Sequence, residues 1–245
     1  MNLLIMKTFL LSCFAALLAL IGLNNCAVAT NSDVITQNVR VLEFYKIEVN
    51  GIDAQIRYSQ SDINEVNVTT NEYLHDMLSI VVDVNTLVIK PTDKYKKNRK
   101  KATCLIIDIT STNIEMIKNN SNSNIQFMTE INTPELRIEN IGKGSISGMK
   151  SVDVGVLEIE NTNAGNITMV GKIEKAEILL LGTGKLNLEN CSIKRCKCEH
   201  SGVGDVYVYA VDTLDVNIFG KGNVYYMGEP KIKQEILGTG RLIKR

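Results

Sequence analysis

From Leu136 to the C-terminus, apolar and polar residues alternate with the two-residue period of a β-strand. The alternation is broken at near-constant intervals by Gly-x-Gly, at Gly142/Gly144, Gly182/Gly184, Gly202/Gly204, Gly220/Gly222 and Gly238/Gly240. A degenerate copy, Asn163-Ala164-Gly165, fills the gap. The second glycines, or their equivalent, stand at 144, 165, 184, 204, 222 and 240, which are 21, 19, 20, 18 and 18 residues apart. A period of this size marks a stacked-repeat architecture.

Alignment on the second glycine resolves the register. Eight, six and four residues before it lie Leu136/Ile138/Asn140, Leu157/Ile159/Asn161, Ala176/Ile178/Leu180, Cys196/Cys198/His200, Leu214/Val216/Ile218 and Ile232/Gln234/Ile236. Two residues after it lie Ile146, Ile167, Leu186, Val206, Val224 and Leu242, and the positions in between are mostly polar. Each repeat therefore predicts a strand, a Gly-x-Gly turn and a second strand. Glycine suits the turn by accepting positive φ and by letting neighbouring coils approach closely. A unit this short cannot bury its apolar face alone, so the units must stack, with Ile138, Ile159, Ile178, Cys198 and Val216 forming one inward ladder.

The predicted fold is all-β, a right-handed parallel β-helix-like solenoid with coils of 18–21 residues. A leucine-rich repeat has a similar period, but Leu-x-x-Leu-x-Leu, an asparagine ladder and a helical half-repeat are not evident. An antiparallel sandwich is the structural rival.

Upstream the pattern loosens. Phe44 to Val49, Ala54 to Tyr58, Val66 to Val68 and Ile80 to Lys90 read as strands, the last with a turn at Asn85-Thr86. Ser123-Asn124-Ile125 lies 21 residues before Gly144-Ser145-Ile146, which extends the stack by a diverged coil. The polar stretch Asn119 to Asn124 reads as a corner, and a short helix is expected around Asn71 to Leu78.

At the N-terminus, Lys7 precedes an apolar run from Phe9 to Leu23, and Ala27-Val28-Ala29 has the small-x-small form of a cleavage site. Residues 1–29 are expected to be a signal peptide, with the mature chain starting at Thr30. A retained membrane helix and lipidation at Cys26 are the alternatives, the latter weakened by Asn25. Residues 30–245 are expected to form one β-solenoid domain, irregular over about 40–118 and regular over about 119–245. Formal net charge is zero, with 27 basic and 27 acidic residues, which argues against a nucleic-acid partner. No later segment is long and apolar enough to be a transmembrane span. Export permits disulfides among Cys104, Cys191, Cys196 and Cys198, whose pairing spacing does not decide.

Two stretches carry a family resemblance. One is the opening Phe44-x-x-Ile47-x-Val49-x-Gly51-Ile52-x-Ala54-x-Ile56-x-Tyr58-x-Gln60. The other is the closing ladder from Ser201-Gly202-Val203-Gly204 through Gly220-Lys221-Gly222-Asn223-Val224 and Gly228-x-Pro230 to Gly238-Thr239-Gly240. Together they resemble the head GIN domain family, whose members are described as autotransporter adhesins and are common in Bacteroidetes. The resemblance covers roughly Glu43 to the C-terminus and departs at Asn163-Ala164-Gly165 and near Cys191 to Cys198. It implies a solenoid fold and an envelope location, and brings no catalytic residues with it.

Candidate chemistry is sparse. The Gly-x-Gly pairs precede strands, whereas a phosphate loop needs a helix N-terminus to hold the anion. Calcium β-rolls need repeated acidic turns, but only Asp205 follows a glycine pair; Ser145, Asn166, Lys185, Asn223 and Arg241 stand at the equivalent places. Cys196, Cys198 and His200, with Cys191 nearby, suggest zinc, yet the first three align with Ala176, Ile178 and Leu180 and so read as buried packing. His75 is isolated. The run Lys94 to Lys101 reads as a solvated loop, with anionic glycan or lipopolysaccharide as its functional alternative. The sequons at Asn67, Asn119 and Asn166 are set aside because the export signal looks bacterial.

No catalytic, cofactor-binding or metal residues are assigned. The expectation is a non-enzymatic exported envelope protein, an adhesin or scaffold module for an extended partner such as a glycan or a surface protein. The alternative is a polysaccharide lyase or hydrolase on a β-helix. That would need clustered carboxylates, but the outward line Arg137, Glu158, Glu177, Lys197, Asp215, Lys233 is mixed in sign.

Overall fold

The computed structural model describes residues 34–98 and 104–245. The expected cleavage site and Cys26 lie outside the described residues, as does Arg99 to Lys101 of the basic run. In chain order the strands begin with β1 (Val34–Val39), β2 (Lys46–Asn50), β3 (Gln55–Gln60) and β4 (Glu65–Asn71), followed by helix α1 (Glu72–His75). Then come β5 (Leu78–Asp83), β6 (Thr86–Pro91), helix α2 (Asp93–Asn98), β7 (Leu105–Ser111), β8 (Met116–Asn120) and β9 (Asn124–Phe127). The regular part holds β10 (Ile131–Asn140), β11 (Ile146–Asn161), β12 (Ile167–Leu180), β13 (Leu186–His200) and β14 (Val206–Ile218). It ends with β15 (Val224–Met227), β16 (Lys231–Ile236) and β17 (Leu242–Lys244).

From β8 onward every pairing is parallel, so the chain is a β-solenoid and not a sandwich. The observed register is the one read from the glycines: Ile138 pairs with Ile159, Ile159 with Ile178, Ile178 with Cys198 and Cys198 with Val216. All five are buried, in one hydrophobic cluster that runs from Phe44 to Val224. A third inward run per coil, missed by the strand–turn–strand reading, is supplied by Val152/Val154, Ile173, Cys191/Ile193 and Ala210. The uneven period has a physical outlet. Register shifts fall between Ser147 and Ser151, between Thr168 and Val170 and between Leu188 and Ser192, so spare residues bulge there while the ladders stay aligned.

The N-terminal part departs from sequence order. The coil β2–β3 is sandwiched: β2 pairs with both β6 and β8, and β3 with both β7 and β9. The chain lays down this coil, covers one side of it with β6 and β7, then crosses to the other side to start the regular stack. Antiparallel strands close the far end, β4 on β7, β1 on β4, and β5 on β6. The β5–β6 turn is carried by Val84 and Asn85, both at positive φ. The corner at Asn119 to Asn124 and the short helix α1 stand where the sequence placed them; α2 instead replaces part of the loop expected after Pro91.

The glycine corner corrects one expectation. The described glycines at positive φ are Gly51, Gly171 and Gly228, none of them in a Gly-x-Gly pair. Close approach alone explains the pairs. A Cβ on Gly184 would lie 2.0 Å from the Gly165 carbonyl oxygen, on Gly204 2.1 Å from that of Gly184, and on Gly222 2.2 Å from that of Gly204. Each glycine lies on the backbone of the coil before it, where a side chain has no room.

The corner is braced from inside by an asparagine ladder that the sequence reading did not see. Asn119, Asn140 and Asn161 are buried and donate from Nδ2 to the carbonyls of Ser123, Gly144 and Gly165. Each closes the same four-residue loop around the turn, which gives a buried amide the partner it requires.

Val216→Asp tests the ladder. It places an unpaired carboxylate at a fully buried position, and should destabilise the fold by on the order of 4 kcal/mol. A thermal melt should show loss of the cooperative transition or a large fall in Tm; an unchanged melt contradicts the register.

Candidate functional site

The cysteine–histidine coil is interior packing. Cys191, Cys196, Cys198 and His200 are all buried, and the three cysteines are free thiols. Burial pushes the Cys191 and Cys196 thiols up to about 12 and raises Cys198 well above its usual value, so all three stay protonated at neutral pH. Protonated thiols are poor metal ligands and nucleophiles, and no group of three or more His, Cys, Asp or Glu able to hold a metal occurs among the described residues. Cys104 is disulfide-bonded. His75 sits apart, with Nε2 3.3 Å from the Ile35 carbonyl oxygen.

His200 has a structural task. It occupies the column of Asn140 and Asn161, and the Gly202 amide donates to its Nδ1 at 3.1 Å. That bond places the ring proton on Nε2, which faces the Gly204 carbonyl without closing a hydrogen bond of normal geometry. Gly222 of the next coil packs on the ring: a Cβ there would meet Nε2 at 2.6 Å. Desolvation lowers the His200 pKa, opposed in part by the Gly204 carbonyl and Asp205.

Asp205 belongs to a second brace. At the position after the corner, a side-chain oxygen accepts the amide of its counterpart one coil on, from Ser145 to Asn124, Asn166 to Ser145, Lys185 to Asn166, Asn223 to Asp205 and Arg241 to Asn223, with one break at Lys185, which has no oxygen to offer. These residues, compared in the sequence only as calcium ligands, stitch the corner together. Asn119 is wholly buried, which closes that sequon to modification.

The outer face of the β10–β14 wall carries the charge. Its parallel register sets Arg137, Glu158, Glu177, Lys197, Asp215 and Lys233 in one line and Glu139, Glu160, Leu179, Glu199, Asn217 and Glu235 in the next. Arg137 binds Glu139 at 2.8 Å and Glu158 at 2.9 Å, and lies 3.8 Å from Glu160. Lys175 pairs with Glu177 at 2.6 Å, Lys197 with Glu199 at 3.0 Å and Lys233 with Asp215 at 3.1 Å. A hollow of about 290 Å³ lies on this face between Arg137 and Glu199. The hydrogen bond from Lys175 lowers the Glu177 pKa, the direction opposite to that of a general acid. The face is thus a shallow strip of mutually compensated charge.

Towards the C-terminal end the adjoining wall carries aromatic rings. Tyr207 and Tyr225 stack at 4.7 Å, Lys185 caps Tyr207 with its ammonium 4.1 Å from the ring centre, and Arg245 reaches Glu189 at 2.8 Å.

The His200 arrangement predicts a pH dependence. Its folded pKa lies below the ordinary 6.5, so below pH 6.5 the unfolded chain takes up a proton that the folded chain refuses, and stability falls with pH. Denaturant midpoints measured from pH 7 to about 5, above the main carboxylate range, should decline in the native chain. His200→Asn restores the side chain used at Asn140 and Asn161 and should flatten that slope; an equal slope in the variant assigns the effect elsewhere.

Residues 43–230 match the family model described as "Putative auto-transporter adhesin, head GIN domain". Among solved structures, a "putative adhesin" from Bacteroides fragilis superposes with a TM-score of 0.81 at 25% identity, over 88% of this chain and 98% of its own. A "putative lipid binding protein" from Parabacteroides distasonis gives 0.68 at 23% identity, with the same coverage. A "putative adhesin" from Parabacteroides merdae gives 0.64 at 20%, over 88% and 97%. No curated protein matches the chain. With the model matched over most of its length and the same coils in its structural neighbours, the chain belongs to the head GIN domain family.

Proposed function

We propose that this protein is a non-enzymatic, exported cell-envelope module that binds an extended partner, such as a glycan or a surface protein, along its outer walls. The observation that carries this reading is the compensation of charge on the β10–β14 face. Arg137 engages both Glu139 and Glu158, Lys118 also pairs with Glu139, and the carboxylates of Glu177, Glu199 and Asp215 each have a lysine. Glycoside hydrolysis needs one carboxyl held protonated and another poised beside it; carboxylates tied to cations suit recognition instead. Side chains set at the strand spacing of about 4.8 Å form long periodic lines of mixed charge, which suits an extended partner. The adhesin names of the family and of its Bacteroides fragilis neighbour agree with surface attachment. No helix among the described residues is long and apolar enough to cross a membrane.

A second reading, contact with lipid, rests on the glycine corner. Leu181, Phe219 and Leu237 share one column there, interrupted by Ser201, with Val203 at the tip of the turn between; all four apolar residues are exposed, and Val203, Phe219 and Leu237 line a hollow of about 370 Å³. The lipid-binding name of the Parabacteroides distasonis neighbour points the same way.

The test applies the purified chain to a glycan array and to phospholipid vesicles, and follows the length of any bound polysaccharide. Retention on glycans with no shortening is the expected result. Retention on vesicles alone would select the lipid reading. Polysaccharide cleavage abolished by Glu158→Gln, with the melt unchanged, would overturn both.

A further inference from the structure

The last coil described is built from β16 and β17, and β16 is unlike every strand beneath it. All six of its residues are exposed. Ile232 and Ile236, in the columns of Leu214 and Ile218, are 42% and 40% exposed, whereas Leu214 and Ile218 are fully buried. Gln234 stands between them, above Val216.

The edge offers backbone groups as well as apolar surface. Leu237 donates its amide to Ile218 of β14. Amides alternate along a strand, so Lys231, Lys233 and Glu235 face β14, and the N–H and C=O groups of Ile232, Gln234 and Ile236 point away from the stack. An exposed edge of this kind is a template for another strand.

The sequence of that edge is self-complementary. Another copy of β16 can meet it antiparallel about a two-fold axis only in registers that set outward-facing groups opposite one another. Centring on Lys233 opposes two lysines, and centring on Glu235 opposes two glutamates. Centring on Gln234 sets Lys233 against the partner's Glu235, and Glu235 against the partner's Lys233. It also lays Ile232 on the partner's Ile236 and Gln234 on the partner's Gln234. Both apolar contacts lie on the inward side, where they continue the core columns across the junction. Lys233 already binds Asp215 at 3.1 Å, so it would sit between two carboxylates, and Glu235 has no ion pair among the described residues. Two of the remaining cations near this end are held within the chain, Lys244 by Glu229 and Arg245 by Glu189.

We propose that the C-terminal coil is a homodimerisation edge, at which two copies join end to end through antiparallel β16 strands centred on Gln234. The closed two-fold contact uses up the edge on both copies and stops at a dimer. It doubles the length of the outer walls, and parallel pairing within each copy gives way to one antiparallel junction.

Charge reversal tests the register. Sedimentation equilibrium of the purified chain should give twice the monomer mass. Lys233→Glu and Glu235→Lys each oppose like charges at both ends of the junction, and each should weaken dimerisation by about tenfold or more. The double variant K233E/E235K restores opposite charges and should restore the dimer. Melting curves for all four proteins separate dissociation from unfolding, since both residues are exposed. A monomer for the native chain, or a dimer indifferent to either single reversal, would overturn the proposal. Failure of the double variant to recover would refute the Gln234-centred register.

Discussion

The structure depends on how closely one coil can lie on another. Parallel strands pair at about 4.8 Å along the solenoid axis, and this spacing must be kept around the corners as well as along the walls. At the Gly-x-Gly corner it is kept by backbone resting on backbone: Gly220 donates to the His200 carbonyl and Gly222 to that of Gly202, one coil below. The corner is thus an extension of the sheet and not a loop hung from it. Glycine is required there because the carbonyl oxygen of the coil below occupies the space a Cβ would fill.

Once that contact is fixed, the remaining polar groups of the corner have few places to go, and the sequence supplies most of them with a partner in the same coil or the next, Asn140 Oδ1 and His200 Nε2 being exceptions. Asn119, Asn140 and Asn161 satisfy the turn from within, and Asn124, Ser145, Asn166, Asp205 and Asn223 brace it from outside. Leu180 leaves the inner ladder and His200 rejoins it with an imidazole, which gives one coil a titratable brace. On the walls the same register lines up charges of both signs, so salt bridges form within coils, as at Lys175–Glu177, and between them, as at Arg137–Glu158 and Lys233–Asp215. Exposed pairs of this kind add little stability individually; their effect is to leave the face polar with its charges mutually compensated.

Much of this was legible in the sequence because repetition converts position into environment. Ile138, Ile159, Ile178, Cys198 and Val216 could be placed in one column from the glycines alone, and that column also identified Cys196, Cys198 and His200 as packing. Other features were hidden for definite reasons. The third inward run lies across the bulges at Ser147 to Ser151, where the two-residue period breaks. The insertion of β2–β3 between β6–β7 and β8–β9 is a long-range choice that no local pattern encodes. The asparagine ladder was present in the alignment at Asn140 and Asn161, but their partners are main-chain carbonyls, which a sequence does not display. Of the two reasons the sequence offered for the corner glycines, close approach holds and positive φ does not, since steric exclusion and conformational freedom leave the same residue behind.

The claim that the corners are part of the sheet is tested most directly by native-state hydrogen exchange at single-residue resolution. The amides of Gly202, Gly204, Gly220 and Gly222 each donate to a carbonyl of the coil below, so the account predicts that they exchange as slowly as neighbouring wall amides, through global unfolding alone. Rapid exchange at these glycines, while Val206 and Val216 stay protected, would contradict it.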